Sequence, residues 1–319
     1  MIYEISPSIA TPEDLRSDAA LAAAADKEYV LTQSGPRTVI PSSVAYLPFS
    51  KLFPSSTLLQ MGEDIQQHIP STEGQLPSRD EILTSRFTTD QNLGQIEYYF
   101  DISNYSPFYK SKPGKKYGTM LMMLQYPFSR GNMHIPPLPT NTQVNGHHTT
   151  NGVSSKGEQT KKRTTAEDKP LINPRYYLDR GGALDFKLMS QCQRFADKIC
   201  RTAPLSSIIV KRVFPPSPPP SATHQEGEGG QEEDFSAWVR DTTITDWHPV
   251  GTCSMGGHEG AKAGVVDARL KVYGTKNVRV CDASIMPLQI AAHLQATVYA
   301  IGEKGAEMMK EDWAKVKGV

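Results

Sequence analysis

Trp247-His248-Pro249-Val250-Gly251-Thr252-Cys253-Ser254-Met255-Gly256-Gly257, then Gly264-Val265-Val266-Asp267 and Val278-Arg279-Val280-Cys281-Asp282-Ala283-Ser284-Ile285-Met286-Pro287, is the stretch on which the reading of this chain turns. It runs on into a helix expected from about Ala292 to Lys315, with His293 near its start. Two histidines, each close to Gly or Ala where backbone can approach a ligand, frame two short apolar strand candidates separated by a turn at Gly274-Thr275-Lys276-Asn277. That arrangement predicts a site.

The composition narrows what such a site serves. At 319 residues the chain is long enough for a sizeable core in one or two domains. Lys plus Arg, 34, equals Asp plus Glu, 34, so no basic field draws nucleic acid or an anionic membrane. The start Met1-Ile2-Tyr3-Glu4-Ile5 lacks the charged and apolar regions of a secretory signal, and no apolar run reaches the ~18 residues of a membrane span. A soluble chain, cytoplasmic by default, is the expectation. The 4 cysteines, Cys192, Cys200, Cys253 and Cys281, show neither CxxC spacing nor adjacent His ligands, which predicts thiols that are buried or half-buried and neither a metal site nor a disulfide framework.

Working outward from the N-terminus, Thr11-Pro12-Glu13-Asp14 carries a capping hydroxyl, a first-turn proline and two acids, predicting one helix to about Lys27. Ala45-Tyr46-Leu47-Pro48-Phe49 holds too much proline for a central strand and reads as wall or loop. A helix is expected over 57–69 and a connection from Ser71 to Asp80. The run from Tyr117 to Tyr126 is one strand long, and the turn signal Arg130-Gly131 with Met133-His134-Ile135 predicts that it forms a hairpin. Residues 136–169 and 215–234 are low-complexity insertions; the pair His147-His148 lies in the first, without acidic or cysteine partners at ligand spacing. Between them Leu184, Leu188, Cys192, Phe195 and Ile199 recur at spacings of three and four, giving a helix from Gly182 to Thr202, followed by a strand from Ser207 to Phe214.

The assembled pattern resembles the C-terminal part of the glucose-methanol-choline (GMC) flavoprotein oxidoreductases. The resemblance rests on His-Pro-Val-Gly-Thr-Cys-Ser-Met-Gly from His248, Gly-Val-Val-Asp from Gly264, Val-Arg-Val-Cys-Asp-Ala-Ser-Ile-Met-Pro from Val278 and the closing helix that follows His293. Upstream, Gly35-Pro36, Ala45 to Phe49, Tyr126-Pro127-Phe128-Ser129-Arg130-Gly131 and Asn173-Pro174-Arg175-Tyr176-Tyr177 resemble its substrate-domain blocks. The family's Gly-x-Gly-x-x-Gly turn, which lays the FAD pyrophosphate on a helix N-terminus, does not occur in the sequence. The chain therefore reads as a family member without its N-terminal dinucleotide-binding half.

The resemblance implies an α+β fold, an antiparallel sheet with flanking helices joined to the C-terminal remainder of an α/β FAD-binding domain. It places an incomplete substrate domain at 1–245 and the remainder at 246–319. It further implies an FAD-dependent oxidoreductase acting on the CH–OH group of a small-molecule alcohol. In that chemistry flavin N5 takes the hydride, His248 is the base and His293 holds the substrate oxygen as charge develops. Asp282 and Ala283 match the segment that approaches the cofactor, FAD. Leu294 and Gln295 lie in the first turn of the last helix, whose free N–H groups favour the reduced flavin's negative edge. The chain without the pyrophosphate turn is not expected to bind FAD tightly. A non-redox cyclase or lyase on the same pocket and a non-catalytic fragment are the alternatives, and association through an exposed interface is expected.

Overall fold

The computed structural model describes residues 1–38, 42–67, 79–89, 92–135, 167–216, 234–291 and 293–318. In chain order the elements are β1 (Ile2–Ile5), α1 (Pro12–Ser17), α2 (Ala19–Thr32), β2 (Ser42–Leu47), α3 (Ser55–Gln66), α4 (Arg79–Thr88), β3 (Ile96–Asp101) and β4 (Lys116–Leu124). They continue with β5 (Asn132–His134), β6 (Leu171–Asn173), α5 (Arg180–Cys200), β7 (Ile209–Phe214), α6 (Ser236–Thr242) and α7 (Gln295–Lys317). The expected antiparallel sheet with flanking helices is present: five strands in the order β2-β3-β4-β1-β7, each pair antiparallel.

Period-two alternation along β3 divides the two faces of this sheet. Ile96, Tyr98 and Phe100 turn to the main core, where the Tyr98 ring packs against Phe195 at 5.6 Å and its hydroxyl donates to the Cys192 carbonyl of α5 at 3.3 Å. Leu184, Leu188, Cys192 and Ala196, one face of α5, are buried there, as their spacing requires. Glu97 and Tyr99 turn the other way. That second face is the floor of the site described below.

Asp185 ties α5 to the loop after β4. It is buried and accepts hydrogen bonds from the backbone N–H of Phe128 at 3.0 Å and of Ser129 at 2.7 Å. Burial outweighs those bonds and pushes its carboxyl up to about 6. The folded protein thus holds a proton that the unfolded chain releases near pH ~4, so this contribution to stability is full below that pH and lost as pH rises through about 6. Urea midpoints of the wild type and D185N between pH 4 and 7 are expected to diverge, the wild type losing roughly 2–3 kcal/mol relative to the variant as pH rises. Parallel curves would show that Asp185 titrates as an ordinary carboxyl.

Several local expectations are corrected. The first helix is two, α1 and α2, because Asp18 adopts an extended backbone and its carboxylate caps the N–H groups of Ala20 and Leu21 at 2.9 and 3.0 Å. A short acidic side chain gains more as a cap than inside a helix. Ala45 to Leu47 belongs to an edge strand, β2, rather than a loop; Pro48 lies just beyond its end and interrupts no ladder. The helix expected over 57–69 is α3, and 71–78 of the expected connection lie outside the described residues while Arg79 and Asp80 open α4. β5 pairs with β6 and not with β4, so Arg130-Gly131 does not close a hairpin. Residues 136–166, including His147 and His148, and 217–233 lie outside the described residues.

The segment after Gly251 also departs from expectation. In place of two strands it holds single bridges, Met255 to Val266, Val266 to Val272 and Lys271 to Arg279. Positive φ at Gly251, Gly257, Gly260, Leu270 and Gly274 bends the backbone before any ladder can lengthen. A second core forms there from Val266, Leu270, Ile285, Met286 and Leu294. α7 closes it with Val298, Ile301 and Met308, and Asp312 on that helix bonds Arg269, Lys271 and Arg279. Tyr299, Met309, Trp313 and Val316 of α7 are exposed. All four cysteines are free, Cys192 and Cys200 buried, Cys253 and Cys281 partly so. Among the described residues no helix is long and apolar enough to cross a membrane.

Candidate active site

Two histidines separated by a long stretch of sequence meet on the open face of the sheet. The ring centroids of His248 and His293 lie 5.6 Å apart, with 52° between the planes. His293 stands over β3: its Nε2 is 2.9 Å from Glu97 Oε1, and its ring is 6.5 Å from that of Tyr99. Glu97 is 1% exposed and also accepts from Gln125 Nε2 at 3.1 Å. Tyr46 lies directly across from Glu97 in the β2–β3 register. Burial and the Glu97 charge push its phenol up to about 12, so it stays a donor.

His248 has its own carboxylate. Asp246 Oδ2 is 3.2 Å from His248 Nδ1. Burial holds the Asp246 carboxyl above its usual range, opposed by His248 and reinforced by the negative charge of Glu97. The residue between them, Trp247, is exposed and has φ of 55°, a left-handed conformation rare for a bulky side chain. Beyond His248 the chain reverses at Gly251, φ 84°, and is pinned by bonds from Cys253 N–H to the Ser284 carbonyl at 3.0 Å and from Met255 N–H to the Ile285 carbonyl at 2.9 Å.

The remaining predicted residues lie on the 283–285 turn and where the chain enters α7 just after His293. Asp282 caps the short 283–285 turn, its carboxylate accepting from Ser284 N–H at 2.8 Å, and that turn packs against α7. Leu294 is buried in the second core, so only its backbone can face a ligand. α7 begins at Gln295, later than expected: Ala292 lies outside the described residues, and His293 and Leu294 precede the helix. Gln295 lines an open depression with Val298, Tyr299, Gly302 and Glu303. The first turn of this 23-residue helix carries no side-chain cap, so its N–H groups and positive dipole end suit an anionic edge such as that of a reduced flavin. His134 lies in exposed β5 and His258 in the exposed 257–262 turn. Among the described residues no group of His, Cys, Asp and Glu is arranged to hold a metal ion.

Four residues of this site are not singled out by the sequence: Glu97, Asp246, Tyr99 and Gln125. Glu97 leaves a signal, a lone acid in the alternating aromatic run Ile96-Glu97-Tyr98-Tyr99-Phe100, and so does Asp246, two positions before His248. Neither signal says which imidazole the acid serves.

Comparison with known proteins places the sequence among relatives. The family pattern described as GMC oxidoreductase matches residues 153–302, a stretch that includes His248 and His293. Over that stretch the chain is similar to the C-terminal part of GMC oxidoreductases. Over 97% of its length it is 26% identical to Dehydrogenase citC of Monascus ruber and 25% identical to an alcohol oxidase of Pichia angusta. It covers 46% and 48% of those two proteins, so the chain spans about half the length of the curated relatives it matches. The fold is that of an Aspergillus oryzae RIB40 formate oxidase studied for FAD modification, with a TM-score of 0.64 at 20% identity over 98% of this chain and 45% of that one. The antiparallel sheet with its flanking helices matches that structure.

Proposed function

We propose that this chain forms the substrate-facing wall of an FAD-dependent oxidoreductase that acts on CH–OH groups, with His248 as the base. The observation that supports it most directly is the convergence of two imidazoles, 5.6 Å apart, each backed by a carboxylate. Removing hydrogen from an alcohol takes a hydride from carbon and a proton from oxygen. FAD, when bound, supplies the hydride acceptor.

The chain's own residues handle the proton and the oxygen. An imidazole ring nitrogen of His248 accepts the hydroxyl proton, and the carboxylate of Asp246 offsets the positive charge that results. His293, held through Nε2 by Glu97 and resting over Tyr99, donates from Nδ1 to the substrate oxygen as negative charge grows on it when both its ring nitrogens carry hydrogen. Ala283 and the N–H groups at Leu294 and Gln295 would hold the anionic edge of the flavin, while Asp282 shapes the turn that presents Ala283. The GMC relatives favour this reading, since one is an alcohol oxidase and one a dehydrogenase by name.

The test is stopped-flow absorbance of the protein with FAD in excess, mixed with a series of alcohols. His248→Ala is expected to slow flavin bleaching by about 10²–10⁴-fold, the usual contribution of a positioned base. Bleaching at the wild-type rate in the variant would remove His248 from the mechanism, and turnover without any bleaching would point to non-redox chemistry in the same pocket.

A further inference from the structure

We propose that Asp246 is a positioning residue that locks His248 as the Nδ1–H tautomer, so that Nε2 is the nitrogen presented to the substrate hydroxyl. The inference rests on the reading of His248 as the base and deepens it, because it says which ring atom does the work and what fixes it.

Three observations carry it. Asp246 Oδ2 pairs with His248 Nδ1 at 3.2 Å, and because a carboxylate oxygen only accepts, its charge favours the tautomer with hydrogen on Nδ1. The chain between them is bent for this purpose: Trp247 sits in the left-handed region at φ 55°, with its N–H held by Thr245 Oγ1 at 3.0 Å, and this folds the side chain of residue 246 back onto that of residue 248. Left-handed backbone at an exposed, bulky residue is strain that the surrounding structure must hold in place, and such strain gathers at functional sites. Finally, His293 is held in the opposite sense, through Nε2 to Glu97. The two imidazoles therefore keep different nitrogens free, Nε2 on His248 and Nδ1 on His293.

The tautomer matters because the proton leaves the substrate for a lone pair. The O–H bond breaks and an N–H bond forms at Nε2; His248 becomes an imidazolium with both nitrogens protonated, its charge facing Asp246. In the other tautomer Nε2 already carries hydrogen and has no lone pair to offer. Free histidine in water prefers that other tautomer, so the protein must impose the useful one.

Selective ¹⁵N-histidine labelling and long-range ¹H–¹⁵N correlation spectra, recorded above the imidazole titration, read this directly. Wild-type His248, assigned by its disappearance in H248N, is expected to show a pyrrole-like Nδ1 and a pyridine-like Nε2. D246A is expected to exchange the two, and D246N to keep the wild-type pattern, because the amide oxygen still accepts. The pyrrole-like Nε2 of His293 should persist in every variant and shows that the sheet face is intact. A wild-type His248 with pyrrole-like Nε2, or a D246A spectrum unchanged from wild type, would overturn the proposal. Should D246A not fold, the wild-type and D246N spectra still decide it. Undiminished flavin bleaching in His248→Ala would instead sink the base assignment while leaving the tautomer as found.

Discussion

Gly256→Val is expected to unfold the segment that carries His248. A Cβ at Gly256 would stand 2.1 Å from the Gly260 carbonyl oxygen and 2.7 Å from its carbon, both backbone atoms that cannot swing away. The strand of chain is fixed on both sides: Gly256 N–H donates to the Val266 carbonyl at 3.0 Å, and Gly264 N–H to the Gly260 carbonyl at 3.2 Å. Gly264 presses from the other direction, its own added Cβ falling 2.4 Å from the Gly256 nitrogen. Overpacking in an adaptable core costs about 1–3 kcal/mol, and a collision between two pinned backbones belongs at or above the top of that range. The second core, built on Val266 and Ile285, should lose its cooperative transition in urea, and His248 its bonds through Cys253 and Met255. Gly302→Ala is the control: nothing lies within 4 Å of its added Cβ, and the helix interior gains by exchanging glycine for alanine, so that variant should melt at or slightly above wild type. Equal midpoints for G256V and wild type would show that the two glycines do not bear on each other.

Glu97→Ala is expected to be the most damaging change to the site itself. The carboxylate is 1% exposed and serves His293 at 2.9 Å and Gln125 at 3.1 Å. Truncation leaves the buried Gln125 amide with only its bond to the Met123 carbonyl at 3.2 Å, while His293, which is 53% exposed, can turn to water. A loss of about 2–3 kcal/mol follows, below the ~3–5 kcal/mol of a fully buried broken pair. Freed of its partner, His293 also loses its fixed orientation, and flavin bleaching should slow by about 10²-fold as an oxyanion donor is lost. Glu97→Gln keeps the shape and one acceptor and should lie between. Urea denaturation and stopped-flow absorbance measured on the same samples separate the two effects. A Glu97→Ala protein with wild-type bleaching would mean that His293 needs no support.

Many of the local elements are legible in the amino-acid sequence alone. The face of α5 follows from apolar residues three and four apart, and the long apolar run from Tyr117 is the strand β4. Thr11 opens α1 as expected, its backbone N–H bonded to the Asp14 carboxylate at 2.8 Å. These are local properties: each is decided by residues within a turn or two of one another. The corrections are of another kind. Asp18 reads as one more helical position, yet its side chain caps the next helix. Arg130-Gly131 reads as a hairpin turn because β6, the true partner of β5, lies beyond an insertion.

The site divides along the same line. The segments of His248 and His293 announce themselves through residue types and order, and with them the family. What they do not announce is the second carboxylate for the second imidazole. Glu97 reaches His293 only because β3 alternates its side chains, turning Ile96 and Tyr98 to the core and Glu97 to the opposite face, and because the chain before α7 crosses that face. Pairing between distant segments depends on how strands register and how a helix is anchored. Those are settled when the whole chain packs, by energies that no short window of residues contains.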